Sequence, residues 1–183
     1  ENKKIGFFII FTEIILAFGT SLFYYLQNYL KANNRSEFFI GIIFAISALV
    51  GAVTSSQTFK LEKIIKEKGI LLILPFFSVA CIWLIALTSY PYIFYIIMMG
   101  VEGIIFVAMS DYINKLIPSK NRATILSLAS MVFSFFMISI FPIIGKIGDV
   151  FSLNIAFIFL AIMGTIFVFC NFFLLLTIKT KKN

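Results

Sequence analysis

Six blocks of about twenty apolar residues follow one another along the chain, separated by short intervals that hold most of the Lys, Arg, Asn and Pro. Each block is long enough to cross about 30 Å of hydrocarbon as a helix, whereas membrane β-strands would be about ten residues long with strict alternation. The sequence therefore predicts an all-α membrane protein, a single bundle over residues 1–183. We place its six transmembrane helices at about 5–30, 38–58, 69–89, 92–113, 123–145 and 153–178.

Polar residues are too few to cover a surface that faces water. Of the 183 residues, 61% are apolar and 13% are charged, about half the charged share of an average globular protein. This excludes soluble enzymes and soluble nucleic-acid binders, although the net charge is +7. The chain has no His, and Cys81 and Cys170 lie inside apolar blocks. We predict no metal site, no cofactor, no disulfide and no enzymatic activity.

Basic residues are distributed unequally between the two sides that alternate along the six blocks. One side has only Lys31, Arg35 and Lys146. The other has twelve: Lys3, Lys4, Lys60, Lys63, Lys66, Lys68, Lys115, Lys120, Arg122, Lys179, Lys181 and Lys182. Because Lys and Arg in short loops are retained in the cytoplasm, we expect both termini in the cytosol and the protein in the plasma membrane.

Two acids lie far from either membrane surface, where a charge is costly unless it faces a cavity or a partner. Glu13 is roughly 12 Å from the cytosolic end of its helix, and Glu102 roughly 16 Å, at 1.5 Å per residue. Thr20, Tyr24 and Gln27 continue the helix face of Glu13 within about 40°. We predict these five residues to bind substrate or couple protons. The alternative is that both acids are protonated and bonded to neighbouring helices.

Small residues on two helices indicate close packing. The second block has one such face and the fifth has another, although the hydroxyls of the fifth would also suit a polar substrate. The two faces consist of Ser47, Gly51 and Ser55, and of Ser127, Ser130 and Ser134.

A third acid, Asp111, is close to the cytosolic end of the fourth block, one turn before Lys115. A local ion pair is its simplest interpretation. Arg122 begins the fifth block and carries a bidentate donor that can hold Asp111 or backbone carbonyls in one conformation and release them in another. We predict Asp111 and Arg122 to form a cytosolic gate, the alternative for Arg122 being topological retention alone.

The residues around the fifth block form a distinctive pattern. Residues 117–124 read IPSKNRAT, residues 141–149 read FPIIGKIGD, and Ala156 and Phe157 follow. This pattern resembles the loop between helices 10 and 11, helix 11 and the start of helix 12 of the major facilitator superfamily. The loop signature expected between the second and third helices is only loosely echoed here. That decay, and Glu102 without an Arg in the fourth helix, resemble the carboxyl-terminal half of such a transporter.

This resemblance implies an arrangement for the chain. It would be one half of a twelve-helix transporter, built as a 3+3 inverted repeat, whose amino-terminal half is missing from the sequence. The first and fourth helices would line the substrate cavity and the second and fifth would contact the other half. The third and sixth would lie outside. In isolation, the Ser47 and Ser127 faces would then be exposed.

The function we expect is secondary active transport by alternating access, with the bilayer, a small molecule and a proton as partners and no nucleic acid. Acids in an apolar, aromatic-rich cavity favour proton-coupled efflux of amphipathic or cationic compounds, because a carboxylate binds either a cation or a proton. A metabolite uptake permease is an alternative. Another is a stand-alone six-helix substrate-binding subunit of a vitamin uptake system. An intramembrane protease is excluded by the lack of His and of a Ser-based dyad.

Overall fold

The computed structural model describes residues 2–117 and 119–180. Pro118 of the 117–124 loop, and Lys181 and Lys182 of the twelve basic residues on one side, lie outside the described residues. Six long helices account for nearly all of the described chain, and no strand occurs within it. All six are long and apolar enough to cross a membrane, so the predicted all-α membrane architecture is confirmed. The helices are α1 (Asn2–Ala32), α2 (Glu37–Ser56), α3 (Thr58–Leu87), α4 (Pro91–Leu116), α5 (Arg122–Val150) and α6 (Leu153–Thr180).

Local sequence explains where the helices begin. Ser36 caps α2, since its hydroxyl accepts the Phe39 N–H at 3.2 Å. Pro91 occupies the first turn of α4, where its missing N–H costs no helical hydrogen bond. Lys31 and Glu37 pair across the α1–α2 loop at 2.7 Å, but both are exposed, so this contact adds little stability.

Two intervals that we expected to lie outside the helices are helical. The charged interval between the second and third spans continues α3 backwards to Thr58, with a break at Lys66, whose backbone has φ 62° and ψ 172°. The apolar span of α3 begins three residues after this break, at Gly69. At the other end of the molecule, α5 continues past Gly145 to Val150. The charged segment is helical because it has an apolar face that packs on the bundle.

Contacts between the first three helices and the last three hold the bundle together. α1 packs on α5, and α4 packs on α2. Likewise α3 contacts α4 and α6 contacts α1, while α3 and α6 contact each other. The inner and outer helices differ in burial: 61% of the apolar window of α1 is buried, against 17% in α2 and 11% in α5. α2 and α5 thus face outwards along most of their surface.

The small-residue face of α2 packs against α4. Ser47 is 2% exposed. A Cβ atom on Gly103 would lie 2.8 Å from the Gly51 carbonyl oxygen, and Thr54 Oγ1 donates to the Gly100 carbonyl at 2.8 Å. Glycine on α4 therefore permits an approach that larger residues would prevent. The expectation that the Ser47 face would be exposed is wrong, whereas Ser127, Ser130 and Ser134 are indeed exposed.

Two side-chain bonds join α3 to α6. Pro75 has no N–H, so it cannot form the helical bond to the carbonyl of Leu71. Asn171 Nδ2 donates to that carbonyl at 3.1 Å from a buried position on α6. Nearer the other end of the pair, Trp83 Nε1 donates to Thr165 Oγ1 at 3.0 Å. A bond from α6 thus replaces the one that proline removes inside α3.

Candidate functional site

A cleft of about 140 Å³ lies between α1, α4 and α5. Its walls come from the amino-terminal parts of α1 and α5 and the carboxyl-terminal part of α4, which meet at one end of the bundle. The lining residues are Ile9, Thr12, Glu13, Phe106, Ser110, Ile113, Asn114, Ile125, Leu126 and Ala129.

The opposite ends of α1 and α5 are in direct contact. Tyr25 Oη donates to the Phe141 carbonyl at 2.8 Å, and the two rings lie 4.7 Å apart. A Cβ atom on Gly145 would lie 2.6 Å from the Tyr25 oxygen, so glycine is needed for this contact. Midway along the pair, the Ser21 hydroxyl approaches Met137 Sδ at 3.9 Å. The cleft is therefore open at one end of the α1–α5 pair and closed at the other.

The cleft combines one carboxylate with a few hydroxyl and amide groups on an otherwise apolar wall. Glu13 is half-buried, Ser110 and Asn114 are exposed, and Asn114 Nδ2 lies 3.5 Å from Ser110 Oγ. The Thr12 hydroxyl already donates its hydrogen bond to the Phe8 carbonyl, at 2.8 Å. An apolar pocket with few polar groups is typical of small-molecule sites, although drug-sized ligands occupy about 300–1,000 Å³. The cleft therefore has the chemistry of a binding site and less than its usual volume.

Glu102 lies in a different place, on the side of α4 that faces α1, α3 and α6. It is 7% exposed and borders a cavity of about 10 Å³ that Phe18 and Phe167 also line. The side chain of Ser78 on α3 lines the same cavity. Gly19 on α1 is pressed against the carboxylate, since a Cβ atom there would overlap Glu102 Oε2. The cavity has room for about one water molecule and for no larger ligand.

The structure does not bring Glu13 and Glu102 into one site, since they line separate cavities. The other residues of the predicted polar stripe also lie outside the Glu13 cleft. Thr20 and Gln27 are half-buried further along α1. Tyr24 is 51% exposed, and its ring meets the Phe141 ring edge-to-face at 5.8 Å. The stripe thus runs from the open end towards the closed end of the α1–α5 pair.

At the predicted gate, Asp111 is paired with Lys115 and not with Arg122. Its Oδ2 atom lies 2.5 Å from Lys115 Nζ, one helical turn away on α4. Arg122 is exposed at the first residue of α5, three residues before Ile125 of the cleft wall. Sequence reasoning anticipated the Asp111–Lys115 pair as the simplest interpretation, and the structure has it.

Sequence reasoning missed the polar groups that accompany the two acids. Ser110 and Asn114 follow Phe106 at a spacing of four, which places them on one side of the helix. That spacing was a usable signal, but both residues are close enough to the membrane surface to need no explanation. Ser78 gave no signal, because a single serine in an apolar span is ordinary.

Comparison with known proteins identifies one family. Residues 7–183 match the family model described as Major Facilitator Superfamily. No curated protein and no solved structure gives a match. The matched stretch includes both cavities and all six spans except Gly6, the first residue of the first span.

Proposed function

Because the chain belongs to the major facilitator superfamily, a family of membrane transporters and not of enzymes, we propose that it moves its substrate by secondary active, alternating-access transport. The substrates we propose are amphipathic or cationic compounds, exported in exchange for protons. The observation that carries this proposal is the Glu13 cleft, an acid on an apolar wall that is open at only one end. A carboxylate there can bind a cation or a proton in turn.

The two acids suit different parts of this cycle. Glu13 borders a space that an external molecule can enter. Glu102 borders a space too small for a substrate, so we assign it the exchange of a proton, which needs no repacking of the helices. We keep Thr20, Tyr24 and Gln27 as substrate-binding residues beyond the cleft, because they continue the same face of α1.

The missing amino-terminal half is the second part of the proposal. α2 and α5 expose large apolar side chains, among them Leu49 at 65% and Ile138 at 76%. A second bundle packed on these two helices would cover them and would enlarge the Glu13 cleft towards the volume of a typical ligand site. If so, a cysteine at Ile138 will cross-link to the upstream half of the full-length protein; lack of any such cross-link would contradict the arrangement.

The matched helix pairs support the inverted repeat. If α1–α3 and α4–α6 are related by a two-fold axis in the membrane plane, α1 on α5 becomes α4 on α2, and α3 on α4 becomes α6 on α1. Such repeats allow one bundle to rock against the other around a central site.

The gate is proposed at the open end of the cleft. Arg122 stands beside the α5 wall and Asp111 beside the α4 wall, so closing the cleft would bring the two side chains together and release Lys115. Replacement of Arg122 by Lys keeps the charge and removes the planar, bidentate donor. We expect Arg122→Lys to slow transport; unchanged transport would leave the arginine only a topological role.

Orientation in the plasma membrane, with both termini in the cytosol, can be tested by labelling introduced cysteines in intact cells. An impermeant reagent should reach the loop 31–37 and should not reach residues 60–68. Labelling of residues 60–68 from outside would show the opposite orientation, in which the open end of the cleft faces the outside of the cell.

A transport assay separates this proposal from metabolite uptake. Cells that produce the full-length protein should accumulate less of a fluorescent lipophilic cation such as ethidium than control cells, and a protonophore should abolish the difference. Equal accumulation with and without the protein would contradict cation efflux and favour the uptake permease. The match to residues 7–183 favours either transporter over a vitamin-binding subunit.

A further inference from the structure

The first helical segment of α3, residues 58–65, connects two membrane spans at one membrane surface. The preceding span ends at Ser56 and the following span begins at Gly69. The break at Lys66 separates the segment from the span, which starts only about 5 Å of helix rise later. Because both ends of the segment join membrane spans, we expect it to run along the membrane surface, at the depth of the lipid headgroups.

The outward face of this segment is both apolar and basic. Phe59 is 54% exposed and Ile64 is 76% exposed, and Lys60 and Lys63 are exposed between them. At 100° per residue these four side chains fall within an arc of about 140°. The opposite face packs on the bundle: Thr58 is fully buried, and Leu61, Glu62 and Ile65 are half-buried.

The acid of the segment is directed inwards. Tyr112 Oη on α4 donates to Glu62 Oε1 at 2.7 Å, which fixes the rotation of the segment against the bundle. With Glu62 held on the bundle side, the charges on the outward face are those of Lys60 and Lys63, and Lys66 is exposed at the break. The face that points away from the protein is therefore positively charged.

We propose that the 58–65 segment is a binding surface for anionic lipid headgroups. Phe59 and Ile64 would enter the boundary between headgroups and acyl chains, and the lysines would contact the negatively charged phosphate groups. A lipid surface fits better than a protein partner, because the face lies at headgroup depth and carries apolar side chains on both flanks of its lysines. Basic residues with large apolar side chains are typical of helices that lie in the membrane interface.

The test is hydrogen exchange measured by mass spectrometry on the full-length protein in lipid nanodiscs. One set of discs contains phosphatidylcholine only, and in the other about a third of the lipid is phosphatidylglycerol. We expect backbone amides of the 58–65 segment to exchange more slowly in the anionic discs, and we expect the difference to shrink at high salt because screening weakens the attraction.

Two matched variants decide the role of the lysines. Lys60→Gln with Lys63→Gln should reduce the ratio of exchange rates between the two lipids by about fivefold per lysine. Lys120→Gln with Lys146→Gln removes the same charge elsewhere and should leave the ratio unchanged. Exchange in the six spans reports that each variant is folded. Equal exchange of the native segment in both lipids, or an unchanged ratio in the Lys60 and Lys63 variant, would overturn the proposal.

Discussion

Glu13 and Glu102 occur at similar depths on adjacent helices, yet their surroundings differ in nearly every respect. Glu13 borders a cleft of about 140 Å³ between helices that have separated at one end. Glu102 borders about 10 Å³ between four packed helices, with Gly19 in contact and Ser78 on the same cavity wall. Depth and residue type therefore do not determine the surroundings of a membrane carboxylate. What decides is whether the helix face that carries it meets an open or a filled space.

The largest expected difference is in chemical access to the two spaces. Ser110 and Ser78 are matched residues, one exposed on the cleft wall and one buried beside Glu102. With Cys81 and Cys170 replaced, Ser110→Cys should react with a polar thiol reagent about 100-fold faster than Ser78→Cys, if local opening costs about 3 kcal/mol. Labelling rates in proteoliposomes measure this. Equal rates would show that the cavity at Glu102 is as open as the cleft.

The next difference is in tolerance of added volume. Gly19→Ala places a methyl group against the Glu102 carboxylate, whereas Gly41→Ala meets nothing within 4 Å. We expect Gly19→Ala to lower the free energy of unfolding by about 1–3 kcal/mol, because a packed region has no room to relax. Gly41→Ala should be neutral or slightly stabilising. Thermal unfolding in detergent compares them, and equal midpoints would contradict the packing described around Glu102.

The sequence alone predicts the positions of the helices well and the contacts of their faces poorly. Six apolar blocks are sufficient to predict six spans, because hydrocarbon imposes both the length and the helical bonding. The faces depend on neighbours that the sequence does not name. The face of α2 that carries Gly51 and Ser55 lies against α4 because Gly103 allows close approach, and Glu102 fits between α1 and α3 because Gly19 has no side chain. A glycine or a serine in the sequence does not indicate which residue it will contact.

A smaller effect is expected where α3 and α6 close the packed side. Asn171→Leu would leave the Leu71 carbonyl without its donor, since Pro75 offers none. Asn171 also has a buried Oδ1 atom without a partner, which leucine would remove, so the net loss should be modest. In a double-mutant cycle, Pro75→Ala should restore a backbone donor and show a coupling of about 1 kcal/mol with Asn171→Leu. Additive effects would mean that the side chain does not replace the proline's missing bond.

The most direct test of the central claim is uphill export of ethidium from proteoliposomes that contain the full-length protein and carry an imposed proton gradient. We expect Glu13→Gln, which keeps size and hydrogen bonding, to abolish uphill movement while the protein remains folded. Glu102→Gln should also abolish proton-driven movement, with ethidium binding retained because Glu102 does not line the cleft. Glu37→Gln, which removes an exposed acid from the α1–α2 loop, should transport normally. Undiminished uphill transport by Glu13→Gln, with unchanged pH dependence, would contradict proton-coupled export through the Glu13 cleft.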